Sequence, residues 1–110
     1  MTKVYILNSP ILTDYGSYLY LPLNLEEAKQ RLANGFVSAI GHEGTAKLLS
    51  TILGIEIPVN RIQIQMQPGD DAIVFQVLQR LPEGAVLTEE QLKKIPFRLG
   101  LLRRMLEGED

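Results

Sequence analysis

Gly35-Phe36-Val37-Ser38-Ala39-Ile40-Gly41-His42-Glu43-Gly44-Thr45-Ala46 passes from an apolar run through a glycine into a helix-like pattern. Phe36–Ile40 is a short apolar, β-prone run of the kind a buried strand shows. Gly41 breaks it as a tight turn, and the residues from His42 to Leu53 follow as a helix that Gly54 ends. A strand, a turn and a helix in direct succession point to the α/β class, in which helices cover a sheet with parallel strands.

Upstream, Asn24 is a good N-cap for a helix from Leu25 to Asn34, with Leu25, Ala28 and Leu32 at helical spacing and Gly35 as its stop. Val4–Leu7 is β-rich and halts at Asn8-Ser9-Pro10, and Ser17–Leu21 resumes the pattern after the turn signal Thr13-Asp14-Tyr15-Gly16. These two strands are expected to pair as a hairpin-like unit. Downstream, Arg61–Met66 alternates strictly, which predicts a strand with Arg61, Gln63 and Gln65 on one face and Ile62, Ile64 and Met66 on the other. Gln67-Pro68-Gly69-Asp70 is a turn, and the apolar run Ala72–Leu78 suits a central strand that leads to Arg80. Thr88 and Gln91 form a capping box for a short helix ending before Pro96, and Arg98–Leu106 reads as a final amphipathic helix. The expectation is an α/β fold in which residues 1–110 make a single domain, with a mixed five-stranded sheet flanked by three or four helices.

Composition narrows the chemistry. Hydrophobic residues make up 45% and charged residues 22% of the 110 residues, enough for a normal core and too little charge for a disordered chain. No cysteine is present and there is one histidine, so disulfides, thiolate catalysis and cysteine-based metal sites have no support, and no metal or cofactor is expected. A net charge of −2 disfavours a duplex-binding surface, while leaving room for a small anion held by a few local arginines. No signal peptide and no apolar run of membrane-spanning length is apparent, so a cytoplasmic protein with no membrane contact is expected.

A few residues could carry chemistry. His42 can give or take a proton near neutrality, and a helix start places it beside backbone N–H groups that favour a phosphate; the plainer alternative is an ordinary helix cap or surface histidine. Arg61 and Arg80 stand at strand ends, where a guanidinium could grip phosphate or instead pair with Asp70 or Glu83. Pro82 and Gly84 shape a turn that would hold Glu83 near Arg80. Asn8 and Ser9 offer an amide and a hydroxyl where the first strand ends, for a ligand or for a local turn. Gln63, Gln65, Gln76 and Gln79 supply amides that suit an adenine edge or simply a solvated strand face. Serine-hydrolase, P-loop and dinucleotide signatures are absent.

The runs Ile6-Leu7-Asn8-Ser9, Gly35 to Ala46, Gly54-Ile55-Glu56-Ile57-Pro58-Val59-Asn60-Arg61 and Arg80-Leu81-Pro82-Glu83-Gly84 resemble, in order and spacing, the viral type III anti-CRISPR ring nucleases. The resemblance implies a homodimer that binds cyclic tetra-adenylate and cuts it to linear di-adenylate without a metal, suppressing type III CRISPR signalling from within the host cytoplasm. It further implies that His42 is the general acid, Arg61 and Arg80 bind phosphate, Glu83 is their partner in the catalytic loop, and Ser9, with Asn8 beside it, contacts the ligand. A non-catalytic binder of cyclic oligoadenylate and a small mobile-element adaptor or regulator are the alternatives.

Overall fold

Asn24 starts the first helix by local chemistry: its Oδ1 accepts the Glu27 N–H at 2.8 Å, supplying one of the donors a helix start leaves unpaired. The computed structural model describes residues 3–78, 88, 90–91 and 94–106. In chain order the elements are β1 (Val4–Leu7), β2 (Tyr18–Pro22), α1 (Leu25–Leu32), β3 (Val37–Ser38), α2 (Glu43–Leu53), β4 (Asp71–Val77) and β5 (Phe97–Arg104). The strands form one five-stranded sheet in the order β2-β5-β4-β1-β3, so this is an α/β domain with a mixed sheet. β1 runs parallel to both β3 and β4, while β5 is antiparallel to β4 and β2.

Both helices cover the same face of the sheet. Ala28 and Leu32 of α1 and Leu48, Leu49 and Leu53 of α2 are buried with Ile6, Ile73, Phe75, Leu99 and Leu101. Asp71 ties α1 to that face, receiving two bonds from the Arg103 guanidinium at 2.7 and 3.0 Å with Arg31 at 3.5 Å. On the opposite face Tyr5, Leu7, Ala72, Val74 and Leu102 are covered by Ile64 and Met66.

Several expectations change. Residues 98–106 are not a helix, because β5 occupies residues 97–104 and pairs with a strand on each side. Four consecutive residues, 99–102, are buried there, Leu99 and Leu101 beneath the helices and Leu102 on the other face, so neither period is visible. Two ladders of backbone hydrogen bonds override the helical preference of leucine and arginine. β1 and β2 do not form a hairpin: β2 lies at the far edge and pairs with β5, with Tyr20 opposite Leu102. Arg61–Met66 is not a strand; Met66 N–H donates to Thr13 Oγ1 at 2.9 Å, and Arg104 donates to Met66 O. The expected strand at Phe36–Ile40 narrows to Val37–Ser38. Two helices, α1 and α2, are described in full; the expected short helix after Thr88 lies partly outside the described residues, of which Glu90 and Gln91 are helical, and its capping box is present, with Thr88 N–H donating to Gln91 Oε1 at 2.9 Å and Gln91 N–H to Thr88 Oγ1 at 3.2 Å. Asp70 does not pair with Arg61; buried at the turn, it accepts the backbone N–H groups of Lys3 and Gln67.

Candidate functional site

Parallel strands end together, and here β1, β3 and β4 bring their C-terminal ends to one edge of the sheet. β1 lies between β3 and β4, so the chain lays its next parallel strands on opposite sides of it. Ligands of open α/β sheets sit in the crevice outside the strand ends at such a point. An open groove of about 410 Å³ lies there, lined by Leu7 and Ala39 at the strand ends, by residues 8–9 and 11–13, and by residues 62–65.

Asn8 and Ser9 line this groove, as do Gln63 and Gln65. Gln65 Nε2 donates to Asp14 Oδ2 at 3.3 Å. Gln76 is elsewhere in use: it lies on β4, and its Oε1 accepts from Arg98 Nε at 2.6 Å. The groove also exposes apolar side chains, with Leu12 68% and Ile62 44% accessible.

His42 stands at the start of α2. Its backbone is extended, and its Nδ1 accepts the Thr45 N–H at 3.3 Å, so the histidine is the N-cap of the helix. With Nδ1 accepting, a neutral ring carries its proton on Nε2. Helix-capping and a site role, posed as alternatives by the sequence, are compatible in the neutral ring, where the cap uses Nδ1 and leaves Nε2 for other partners.

Arg61 is held beside His42. Its Nε donates to Gly41 O at 2.8 Å, the carbonyl of the residue preceding the histidine. The segment before it is stitched to the exit of β3: Asn60 N–H donates to Ile40 O and Asn60 Nδ2 to Ser38 O, both at 2.8 Å, and Ser38 Oγ donates to Pro58 O at 2.7 Å. One guanidinium edge is thus spent on the backbone, and the terminal nitrogens remain as the fork that could grip an anion.

The structure thus gathers Asn8, Ser9, His42 and Arg61 at one end of the sheet. Arg80 and Glu83, like Gln79, lie outside the described residues. Sequence reasoning missed Thr45, Ser38 and Asn60. Thr45 was accessible in principle, since it stands three residues after the expected N-cap; the stitching by Ser38 and Asn60 carries no local signal. Among the described residues no three His, Cys, Asp or Glu side chains group as metal ligands, and no helix is long and apolar enough to cross a membrane.

Comparison with known proteins adds a family. The chain is 43% identical over 104 residues to "Uncharacterized protein 26" of Sulfolobus islandicus filamentous virus, covering 89% of this chain and 88% of that one. It is 35% identical over 106 residues to "Uncharacterized protein YddF" of Bacillus subtilis, covering 94% and 98% of the two chains. The solved structure of B116 of Sulfolobus turreted icosahedral virus superposes with a TM-score of 0.77 at 25% identity, over 93% of this chain and 99% of that one. The STIV B116-like family model matches residues 4–99, and the chain belongs to that family.

Proposed function

We propose that this protein is a metal-independent ring nuclease that cleaves cyclic tetra-adenylate to linear di-adenylate, and so suppresses type III CRISPR signalling. The observation that carries the reading is that Arg61 is bonded to the carbonyl of the residue preceding His42, at the end of the sheet where Asn8 and Ser9 line a groove; sequence resemblance assigns all four residues to the site. The chemistry follows from their types. A ribose 2′-hydroxyl gives up its proton to water as its oxygen attacks the adjacent phosphorus, the bond from phosphorus to the 5′-oxygen breaks, and His42 Nε2–H protonates the departing oxygen. The products are a 2′,3′-cyclic phosphate and a free 5′-hydroxyl. Arg61, joined by Arg80, offsets the charge that builds on the phosphorane oxygens, and Glu83 partners the arginines.

Two cuts at opposite phosphates divide a ring of four adenylates into equal halves, which suits a two-fold homodimer presenting two copies of His42. The small net charge of −2 is compatible with this substrate, because the basic groups need only be local.

The test is to incubate the protein with labelled cyclic tetra-adenylate in EDTA and identify the products. Conversion to di-adenylate is expected. His42→Ala should keep ligand affinity within a few-fold while losing about 100-fold or more in single-turnover cleavage, the scale of general acid catalysis. Tight binding without cleavage by the wild-type protein would mean sequestration, and unchanged cleavage by His42→Ala would remove the histidine from the mechanism.

A further inference from the structure

Nδ1 of His42 faces two groups of the same residue. The Thr45 N–H lies 3.3 Å away and the Thr45 hydroxyl oxygen 3.4 Å away. Thr45 is 92% buried, and Nδ1 is the only hydrogen-bonding partner of its hydroxyl among the described residues. A backbone N–H can only donate, whereas a hydroxyl can donate or accept. The two groups are therefore suited to different forms of the ring.

In the neutral ring with its proton on Nε2, the N–H donates to Nδ1 and caps the helix. A general acid must begin its step as the imidazolium, with protons on both nitrogens. The Nδ1–H then has no use for a backbone donor and needs an acceptor. The Thr45 oxygen is already in reach: its hydroxyl hydrogen rotates away, and the cap bond from the Thr45 N–H to Nδ1 is given up. When Nε2–H passes its proton to the departing 5′-oxygen, the electron pair of that N–H bond stays on Nε2. The ring is left neutral with its remaining proton on Nδ1, still bonded to Thr45. The backbone N–H thus serves the resting ring, and the hydroxyl serves the charged and just-discharged ring.

We infer that Thr45 is a positioning residue for the cleavage step, its hydroxyl accepting the His42 Nδ1–H so that Nε2 stays aimed as the acid. This rests on the ring nuclease reading for its catalytic consequence, but the hydrogen bond itself can be observed without any substrate. Among the described residues, Glu43 follows the histidine as the first residue of α2, and Arg61 is bonded to Gly41 O. Neither is hydrogen-bonded to the ring.

The chain has one histidine, so nitrogen-15 NMR of histidine-labelled protein reads a single ring. The neutral wild-type ring should show the Nε2–H tautomer, and the acidified ring should show an Nδ1–H protected from exchange with water. Thr45→Val keeps the side-chain shape and the backbone N–H while deleting the acceptor. It should keep the neutral tautomer, lose the protected Nδ1–H, and bind cyclic tetra-adenylate unchanged while single-turnover cleavage falls about tenfold, the worth of a hydrogen bond to a charged group. Thr45→Ser should restore both the signal and the rate. Thr45→Ala carries the same prediction as Thr45→Val if the valine disturbs folding. A protected Nδ1–H that survives the loss of the hydroxyl, or cleavage at the wild-type rate in its absence, would overturn the inference. A wild-type protein that leaves the ring intact would instead refute the nuclease reading, with the NMR arm still deciding whether Thr45 holds the histidine.

Discussion

Gly41 shows how one residue can be misread for the right reason. The sequence suggests a glycine needed for a tight turn, yet Gly41 is not among the glycines with positive φ. What it provides is proximity: a β-carbon at this position would lie 3.2 Å from Arg61 Cγ. The absence of a side chain is what lets Arg61 lie against the backbone beside His42 and donate to Gly41 O. Gly41→Ala should therefore fold normally, since alanine tolerates such a backbone and the arginine can yield by a few tenths of an ångström. The guanidinium would be displaced, and because small misplacements at a reacting centre are expensive, cleavage and affinity should fall by roughly several-fold. Binding titrations and single-turnover rates of Gly41→Ala beside its urea unfolding midpoint would check this; a fall in stability with unchanged binding would contradict it.

Elements with their own local chemistry were legible, and those defined by a distant partner were not. The first helix carries its cap in Asn24 and the second carries its stop in Gly54, whose φ of 68° is a conformation glycine adopts without strain. Residues 61–66 teach a finer point. The alternation correctly puts Ile64 and Met66 in the core and Arg61, Gln63 and Gln65 outside, though Ile62, expected on the core face, is exposed; and alternation reports which side of a segment is covered, not whether a second strand pairs with it. The reverse holds for β5, whose pairing with β4 and β2 determines its structure while its own residues suggest a helix. Gly100 was the available clue, since glycine is costly in a helix interior; in the sheet, Tyr20 packs so closely over it that a β-carbon would fall 2.5 Å from the ring. The site follows the same rule: His42 was visible from its helix start, while the stitches from Ser38 and Asn60 to residues distant in sequence were not. Being bonded on both edges, β5 should be among the last segments to open. Hydrogen exchange should find the amides of β5 and β4 slowest, and those of Val37–Ser38 at the sheet edge faster by orders of magnitude. Rapid exchange throughout residues 99–102 would contradict the strand assignment.

Among the described residues the layering is uneven: two helices cover one face of the sheet, while Ile64 and Met66 cover the other. The groove opens beside Ile64, with Leu12 and Ile62 left substantially exposed. Apolar side chains rimming an open groove are what a ligand or a second copy would cover. The proposed function demands both. A chain with a single histidine has one general acid, but equal division of a four-nucleotide ring needs two cuts. In a two-fold dimer each protomer would act on one of two opposite phosphates, and light scattering should give a mass about twice the chain's 12.3 kDa. The stronger test is a tagged heterodimer of wild-type and His42→Ala chains. With one acid in place it should open the ring at about half the wild-type rate, and linear tetra-adenylate should accumulate because the second phosphate faces the alanine. The wild-type homodimer, cutting on both sides, should show little of that intermediate before di-adenylate appears. Di-adenylate formed by the heterodimer without linear tetra-adenylate would mean that a single His42 serves both phosphates, and the symmetric arrangement would have to be abandoned.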